Sequence, residues 1–233
     1  MKSSSTLPVI ILLATLASCS GGLNDLDRGG LKGKVKFTKE YQCSPTYENS
    51  KWVAGTDCSE GFRVMEYDED GFYIHAFSIN GLGDTLSLST AKRVDGDVVE
   101  EVYYTRIYST PIHSSLIMVS RTVMDRVSSD QVNFEVWQEE QLRYEGATYY
   151  DSKGRIEKQV QVVNNREATI HHVYDKNLLV EMYQEESDGQ RSATQLYDYS
   201  NYDEKGNWTL RLVYDGEEKI KPKFAITRTL EYY

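Results

Sequence analysis

The stretch "NYDEKGNWTLRLVYDGEE", from Asn201 to Glu218, joins a turn to an alternating strand. Asp203 stands where a type I turn uses a side-chain acceptor, and Gly206 follows where the chain needs a positive φ. This is the chemistry of a β-hairpin closed by a type I turn and a glycine bulge. Large apolar side chains then occupy every second position: Trp208, Leu210, Leu212 and Tyr214. A period of two predicts a half-buried strand.

The same tyrosine–aspartate–glycine pattern recurs along the chain. Complete copies consist of Tyr67, Asp68 and Gly71, of Tyr150, Asp151 and Gly154, and of Tyr202, Asp203 and Gly206. A shortened copy consists of Tyr174, Asp175 and Asn177. In that copy we expect asparagine to take the left-handed conformation in place of glycine. The last three copies begin 24 to 28 residues apart, a spacing that fits one hairpin per unit.

The rest of the chain predicts the same kind of structure. About a dozen strand-like runs are separated by turn signals, and no long stretch has a convincing helical period. Residues 34–233 are long enough for one domain with a sizeable core, and no linker divides them. We therefore predict an all-β fold, an antiparallel meander of hairpins. It forms a curved sheet, a sandwich or an open barrel, and the sequence does not choose among these.

The N-terminus reads as a targeting segment. Lys2 precedes an apolar run from Leu7 to Leu16 that is too short for a permanent membrane span. The following Leu16-Ala17-Ser18-Cys19 resembles the lipobox of bacterial lipoproteins. The resemblance implies cleavage after residue 18 and acylation (diacylglycerol and palmitate) of Cys19. Several acyl chains anchor a protein stably in a membrane. An ordinary secretory signal with an accidental cysteine is the alternative.

Charge and composition narrow the list of partners. The whole chain has 26 basic and 36 acidic side chains, a net charge of −10. Loss of residues 1–18 removes one lysine and makes the net charge −11. With no basic patch visible in the sequence, nucleic acid is disfavoured as a partner. Ser20–Gly33 is rich in glycine, and we expect it to form a flexible tether between lipid and domain.

Cys43 and Cys58 are the remaining cysteines, and an even pair in an exported chain favours a disulfide. The loop they would close contributes about 3 kcal/mol in the chain-entropy model. Two free thiols or a metal pair are the alternatives. The spacing is not typical of zinc sites, and no histidine lies nearby in sequence.

The sequence contains no motif that identifies a catalytic or metal centre. It lacks the nucleophile elbow, the zinc-protease motif and the phosphate-binding loop. His171 and His172 would point to opposite faces of a strand, so they cannot share one metal. We expect no metal and no cofactor. Asp84-Thr85-Leu86 resembles an acceptor for bacterial O-glycosylation, which makes Thr85 a candidate modification site.

The tyrosine–aspartate units resemble the YD or Rhs-type repeats of bacterial cell-surface proteins. Residues 149–233 in particular, with "YDEKGNWTLRLVYDGEE" and the ending "ITRTLEYY", resemble uncharacterised lipoproteins that bear such repeats. The resemblance implies an antiparallel β fold on an envelope protein without a defined activity. It extends poorly to residues 34–148, and it carries no catalytic residue.

Three functional hypotheses follow. The first is a non-catalytic lipoprotein of the cell envelope, in the outer membrane, that binds a protein or a glycan. The second is an enzyme acting on envelope glycans through a carboxylate pair that the sequence does not identify. The third is a transmembrane β-barrel, which ranks last because charges occur on both faces of most strands.

Overall fold

The computed structural model describes residues 24–110 and 113–233. It contains one short helix, α1 (Asp25–Arg28), and fifteen strands in a single sheet. The first eight strands are β1 (Val35–Glu48), β2 (Lys51–Cys58), β3 (Phe62–Tyr67), β4 (Tyr73–Ile79), β5 (Thr85–Val94), β6 (Asp97–Thr110), β7 (His113–Ser128) and β8 (Gln131–Gln138). The others are β9 (Gln141–Tyr150), β10 (Ile156–Val163), β11 (Arg166–Asp175), β12 (Leu178–Glu186), β13 (Arg191–Tyr202), β14 (Trp208–Asp215) and β15 (Phe224–Tyr232).

The sheet closes on itself. From β3 to β15 each strand pairs antiparallel with the next, and β1 pairs with β3 on one side and with β15 on the other. The result is a closed antiparallel barrel of fourteen strands, with β2 as an extra strand. The prediction of an all-β antiparallel meander is confirmed. The sequence left a curved sheet, a sandwich or an open barrel as alternatives; the structure is a barrel, but a closed one, because β1 pairs with β15.

The predicted turns have the expected geometry. In the turn between β13 and β14, the Asp203 carboxylate accepts hydrogen bonds from the backbone N–H of Lys205 (3.0 Å) and Asn207 (2.8 Å). Gly206 has φ 81° and donates its N–H to the Asp203 carbonyl. The aspartates of the other two complete copies, Asp68 and Asp151, make equivalent bonds. These side chains stabilise the chain reversal through hydrogen bonds to backbone groups two and four residues away.

One predicted turn differs from its prediction, and one further turn of the same geometry was not predicted. In the shortened copy, Lys176 takes the positive φ (55°) instead of Asn177, because the strands are joined by a two-residue hairpin loop. The loop from Asn80 to Asp84 has the bulge geometry without tyrosine or aspartate at its start. There the Asn80 side chain accepts the two backbone hydrogen bonds, and Gly83 has φ 87°.

The strand register separates an inner from an outer face. Along one face of the ladder lie buried polar side chains: Thr38, Glu101, Ser120, Thr122, Thr148, Gln159 and Arg228. The opposite face carries exposed side chains such as Lys92, Arg121 and Glu145. Because residues alternate strictly across a strand, the buried polar set faces the barrel interior.

Burial on the inner face decreases from one end of the barrel to the other. Along β1, Thr38 is buried, Glu40 is half-buried and Gln42 is exposed. Along β7, Thr122 is buried and Ile117 is exposed. A dry core would bury all of these side chains. The interior is therefore accessible to solvent from the end where β1 and β2 meet, which we call the open end.

The N-terminal segment closes the other end, which we call the plugged end. Leu26 and Leu31 pack on inner and end residues of the barrel: Val35, Tyr67, Tyr73 and Ala76. The Asp25 carboxylate is fully buried; it accepts the backbone N–H of Tyr73 at 2.8 Å and contacts Arg28 and Arg93. In the described part of the chain, no helix is long and apolar enough to cross a membrane.

The same segment ties together several turns at the plugged end. The Asn24 side chain donates to the Asp70 carbonyl (2.6 Å), and Lys32 exchanges two hydrogen bonds with the Asn207 side chain (2.7 and 2.9 Å). We expected a flexible tether up to Gly33. From Asn24 onward the segment is instead part of the folded barrel, because its apolar side chains and Asp25 have partners there.

A disulfide joins Cys43 to Cys58, as predicted. It connects β1 to β2, and this hairpin lies against the outer face of β14 and β15. Trp52 packs there on Leu210, Leu212 and Tyr214, and its indole N–H donates to the Ile220 carbonyl (3.3 Å). The extra strand thus covers apolar outer-face side chains at the seam where the barrel closes.

Asp25→Ala is expected to lower the free energy of unfolding by about 3 kcal/mol, because it leaves the buried Arg28 and the half-buried Arg93 without their carboxylate. Asp27→Ala is the matched control, since Asp27 lies in the same helix with an exposed side chain. Chemical unfolding of the mature chain measures both variants. Equal losses for the two would mean that the Asp25 cluster does not hold the plug.

Candidate anion-binding site

Three arginines and one glutamate meet on the inner wall near the seam of the barrel. Glu40 on β1 lies opposite Arg63 on β3 and opposite Arg228 on β15. Arg211 on β14 lies one layer closer to the open end, opposite Ile226, with its guanidinium 4.0 Å from the Glu40 carboxylate. The strand register alone therefore brings four charged residues from four strands onto one wall.

Arg228 forms the base of this cluster. Its side chain is buried, and two of its nitrogens, Nε and Nη2, donate to the Trp208 carbonyl at 3.1 and 2.9 Å. Its guanidinium stacks on the Trp208 ring at 3.5 Å. Burial lowers the pKa of Arg228 to about 10, opposed by Glu40. The side chain remains protonated at neutral pH, so it keeps a full positive charge in a low-dielectric wall.

Arg211 is the more accessible arginine. Its guanidinium lies 5.0 Å from the Trp208 ring and 5.7 Å from the Tyr197 ring. Its Nε is buried and has no hydrogen-bond partner within the described chain. A buried donor without an acceptor costs free energy, and a bound anion would supply the acceptor that Arg211 Nε lacks.

Aromatic rings complete the wall. Tyr199 packs against Trp208 with ring centroids 5.4 Å apart. Burial raises the pKa of Tyr197 to about 12 and also raises that of Tyr199, so both hydroxyls stay neutral hydrogen-bonding groups. We expected Trp208 to share a face with Leu210, but its ring lies with the inner arginines. The facing strand departs from regular extended geometry there, because Asn201, next to the Trp208 partner Tyr202, has φ 51° although the register is unbroken.

The cluster can attract an anion. Three guanidinium charges face one carboxylate, which leaves an excess of two positive charges on this wall. Glu40 lies between Arg63 and Arg228, and the 4.0 Å separation leaves Arg211 only weakly paired. Planar guanidinium groups bind carboxylate, sulfate or phosphate in a bidentate manner. An anion entering from the open end would meet Arg211 first.

The site residues predicted from the sequence lie elsewhere. The three complete turns are all at the plugged end, where they join β3 to β4, β9 to β10 and β13 to β14. Thr85 begins β5 and is half-buried, and its backbone carbonyl accepts a hydrogen bond from Arg106 Nε (2.6 Å). O-glycosylation of Thr85 stays a prediction. Cys19 lies outside the described residues. None of these residues contributes to the inner-wall cluster.

The sequence carries no clear signal for the cluster. Its members come from both ends of the chain, and two of them, Arg211 and Arg228, sit in ordinary alternating strands. The one available signal is the sequence "WTLR", in which the inward-facing Arg211 follows Trp208 by three residues. That signal becomes meaningful only once the closure between β1 and β15 places Glu40 beside it.

His171 and His172 form no shared site. His171 faces outward, where it stacks on Tyr183 at 4.7 Å, and His172 faces inward and is largely buried. Within residues 24–110 and 113–233, no group of three or more metal-ligating side chains comes together. The opposite orientation predicted for the two histidines is confirmed.

The fold and this wall define a closed antiparallel β-barrel with a charged interior. A crystal structure of a porin-like protein from Bacteroides vulgatus is similar, with a TM-score of 0.49 and 14% identity over 85% of this chain and 98% of that one. A porin-like protein from Bacteroides uniformis gives a TM-score of 0.32 and 7% identity over 86% and 98% of the two chains. No family model and no curated protein matches the sequence. The likeness to YD-type repeats therefore remains one of turn chemistry.

The stability of the barrel is expected to depend on His172. Burial, together with His171, lowers the pKa of His172 from 6.5 to about 4. The unfolded chain then binds the proton more tightly, so stability is lost as the pH falls from about 6.5 towards 4. Between pH 7 and pH 5 we expect a loss on the order of 1–2 kcal/mol from this residue.

The measurement is the free energy of unfolding at both pH values for the wild type, His172→Gln and His171→Gln. The His172 variant should lose that part of the pH dependence, and the outward-facing His171 variant should keep it. An unchanged pH dependence in His172→Gln would show that the side chain titrates normally in the folded barrel.

Proposed function

We propose that this chain is a non-catalytic, lipid-anchored protein of the bacterial cell envelope whose barrel interior binds an acidic saccharide. The observation that carries the proposal is the excess positive charge on the inner wall, built from Arg63, Arg211 and Arg228 around Glu40. It is unexpected in a chain with a net charge of −10. A uronic acid or a sulfated sugar supplies the carboxylate or sulfate that such a wall selects.

The remainder of the inner face suits a sugar. Tyr103 and Tyr144 face inward and are half-buried, as is Gln161, and all three combine hydrogen-bonding groups with flat or extended surfaces. Tyrosine offers a ring for packing and a hydroxyl for hydrogen bonding. Pockets for polar ligands commonly combine such walls with a small number of charged groups that fix orientation.

The proposed location rests on the sequence at Cys19 and on the outer face. That face carries charges in the middle of the strands: Glu135 lies directly opposite Glu145, and Lys158 lies over the Tyr149 ring at 4.9 Å. A charge facing hydrocarbon at mid-bilayer costs roughly 2–4 kcal/mol for lysine or arginine and somewhat less for an acid. These charges favour a barrel that stands in water and is held to the membrane by lipid.

Binding is tested by calorimetry with the mature chain and a panel of oligosaccharides. We expect uronic-acid or sulfated oligosaccharides to bind and neutral ones of the same length to bind much more weakly. Arg211→Gln should weaken binding about tenfold, because one charge-assisted hydrogen bond is lost. Arg211 is chosen because Arg228 also holds the Trp208 backbone.

Arg121→Gln is the matched control. It removes the same charge from the outer face, where Arg121 contacts Glu100 at 2.9 Å. Equal weakening in both variants would point to a general effect of charge and contradict the inner-wall site. Recovered ligand is checked by chromatography, and shortened products would favour the hypothesis of a glycan-acting enzyme.

Cys19→Ala tests the anchor. We expect the wild-type protein in the membrane fraction of bacteria and the variant in the soluble fraction, because the variant lacks the acyl chains. Thermal unfolding of the two should be the same, because the substitution changes none of the residues that form the barrel. Membrane attachment of the variant would contradict lipid anchoring through this residue.

A further inference from the structure

A second concave surface lies on the outer face, near the open end and away from the inner wall. It is a groove of about 310 Å³ between β7, β8 and the turn from β8 to β9. Its lining consists of Met118, Arg121, Val123, Glu135, Trp137, Glu139 and Glu140. These residues take no part in the proposed saccharide site, since they face the opposite side of the sheet.

The floor of the groove is apolar and partly open to solvent. Met118 is 49% exposed, and Val123 and Trp137 are half-buried. Leu142, directly opposite Trp137 on β9, is 45% exposed and extends the apolar surface. A half-buried tryptophan beside an exposed, flexible methionine is characteristic of protein-binding surfaces, where tryptophan is enriched among the residues that dominate affinity.

The rim of the groove is acidic. Glu139 and Glu140 form the two-residue turn between β8 and β9, and both are exposed. Glu135 is exposed and accepts the Trp137 indole N–H at 3.1 Å, which fixes the ring in the groove. Arg121 is the positively charged residue that lines the groove. Its guanidinium lies 2.9 Å from the Glu100 carboxylate, so its charge is already balanced. The groove therefore presents about three uncompensated negative charges around an apolar floor.

We propose that this groove is a docking site for a basic segment of a partner protein. The aliphatic part of a lysine or arginine would lie on Trp137 and Met118, and its charge would meet the rim carboxylates. A cation above a tryptophan ring adds to the attraction. Charge complementarity of this kind speeds association and selects partners. The partner is thus recognised as cationic and apolar, the reverse of the ligand proposed for the interior.

The test measures binding of short synthetic peptides to the mature chain by calorimetry. One peptide alternates lysine with leucine, and its counterpart alternates glutamate with leucine. We expect the lysine peptide to bind and the glutamate peptide not to bind. The double variant Glu139→Gln, Glu140→Gln should weaken binding about tenfold, and Trp137→Leu, which keeps an apolar side chain, should weaken it at least as much.

Glu217→Gln with Glu218→Gln is the matched control, since this exposed pair lies in the loop between β14 and β15 and the charge change is the same. It should leave the affinity unchanged. Equal weakening by the control pair would overturn the proposal, as would lysine-peptide binding that survives Trp137→Leu. Binding of a neutral oligosaccharide that Trp137→Leu abolishes would also overturn it, because the groove would then be a sugar site.

Discussion

The hydrogen bonds between β1 and β15 are the interaction on which the rest of this structure depends. They pair the first strand of the chain with the last, from Val35 with Tyr232 to Cys43 with Ala225. Without them the sheet would have two open edges and no inside. With them every strand acquires an inner and an outer face, and residues almost 200 positions apart become neighbours. The inner-wall cluster, the plug and the hairpin held by the disulfide all lie along this seam.

Local chemistry made much of the fold predictable, and long-range geometry made the rest unpredictable. Asp203 and Gly206 specify their turn through bonds within five residues, so sequence alone suffices there. Closure depends instead on how many strands fit a twisted sheet, which no local pattern encodes. Residues 24–33 look like a linker by composition. They are nevertheless part of the folded barrel, because they contact its plugged end. Nothing in their own sequence indicates that this end lies next to them.

The candidate site was missed for a related reason. Trp208 keeps the alternation of β14 in sequence, yet its ring lies with the inner arginines, close to Asn201 with its positive φ on the facing strand. The net charge of the chain was also a poor guide to the charge of the inner wall. The negative total is a sum over the whole chain, whereas the inner wall near Glu40 has the opposite sign. A closed barrel separates two electrostatic environments that a single sum over the sequence combines.

The plug also limits the distance between Cys19 and the plugged end of the barrel. Five residues lead from Cys19 to Asn24, and an extended chain of that length spans at most about 18 Å. Strands of eight to ten residues are about 26–33 Å long, and the tilt of strands in a barrel makes the walls roughly 20–25 Å tall. A lipid on Cys19 would therefore hold the plugged end close to the bilayer and could not reach the open end. The barrel axis would then stand roughly perpendicular to the membrane. The open end and the acidic groove would face away from the bilayer, where they are accessible to molecules in solution.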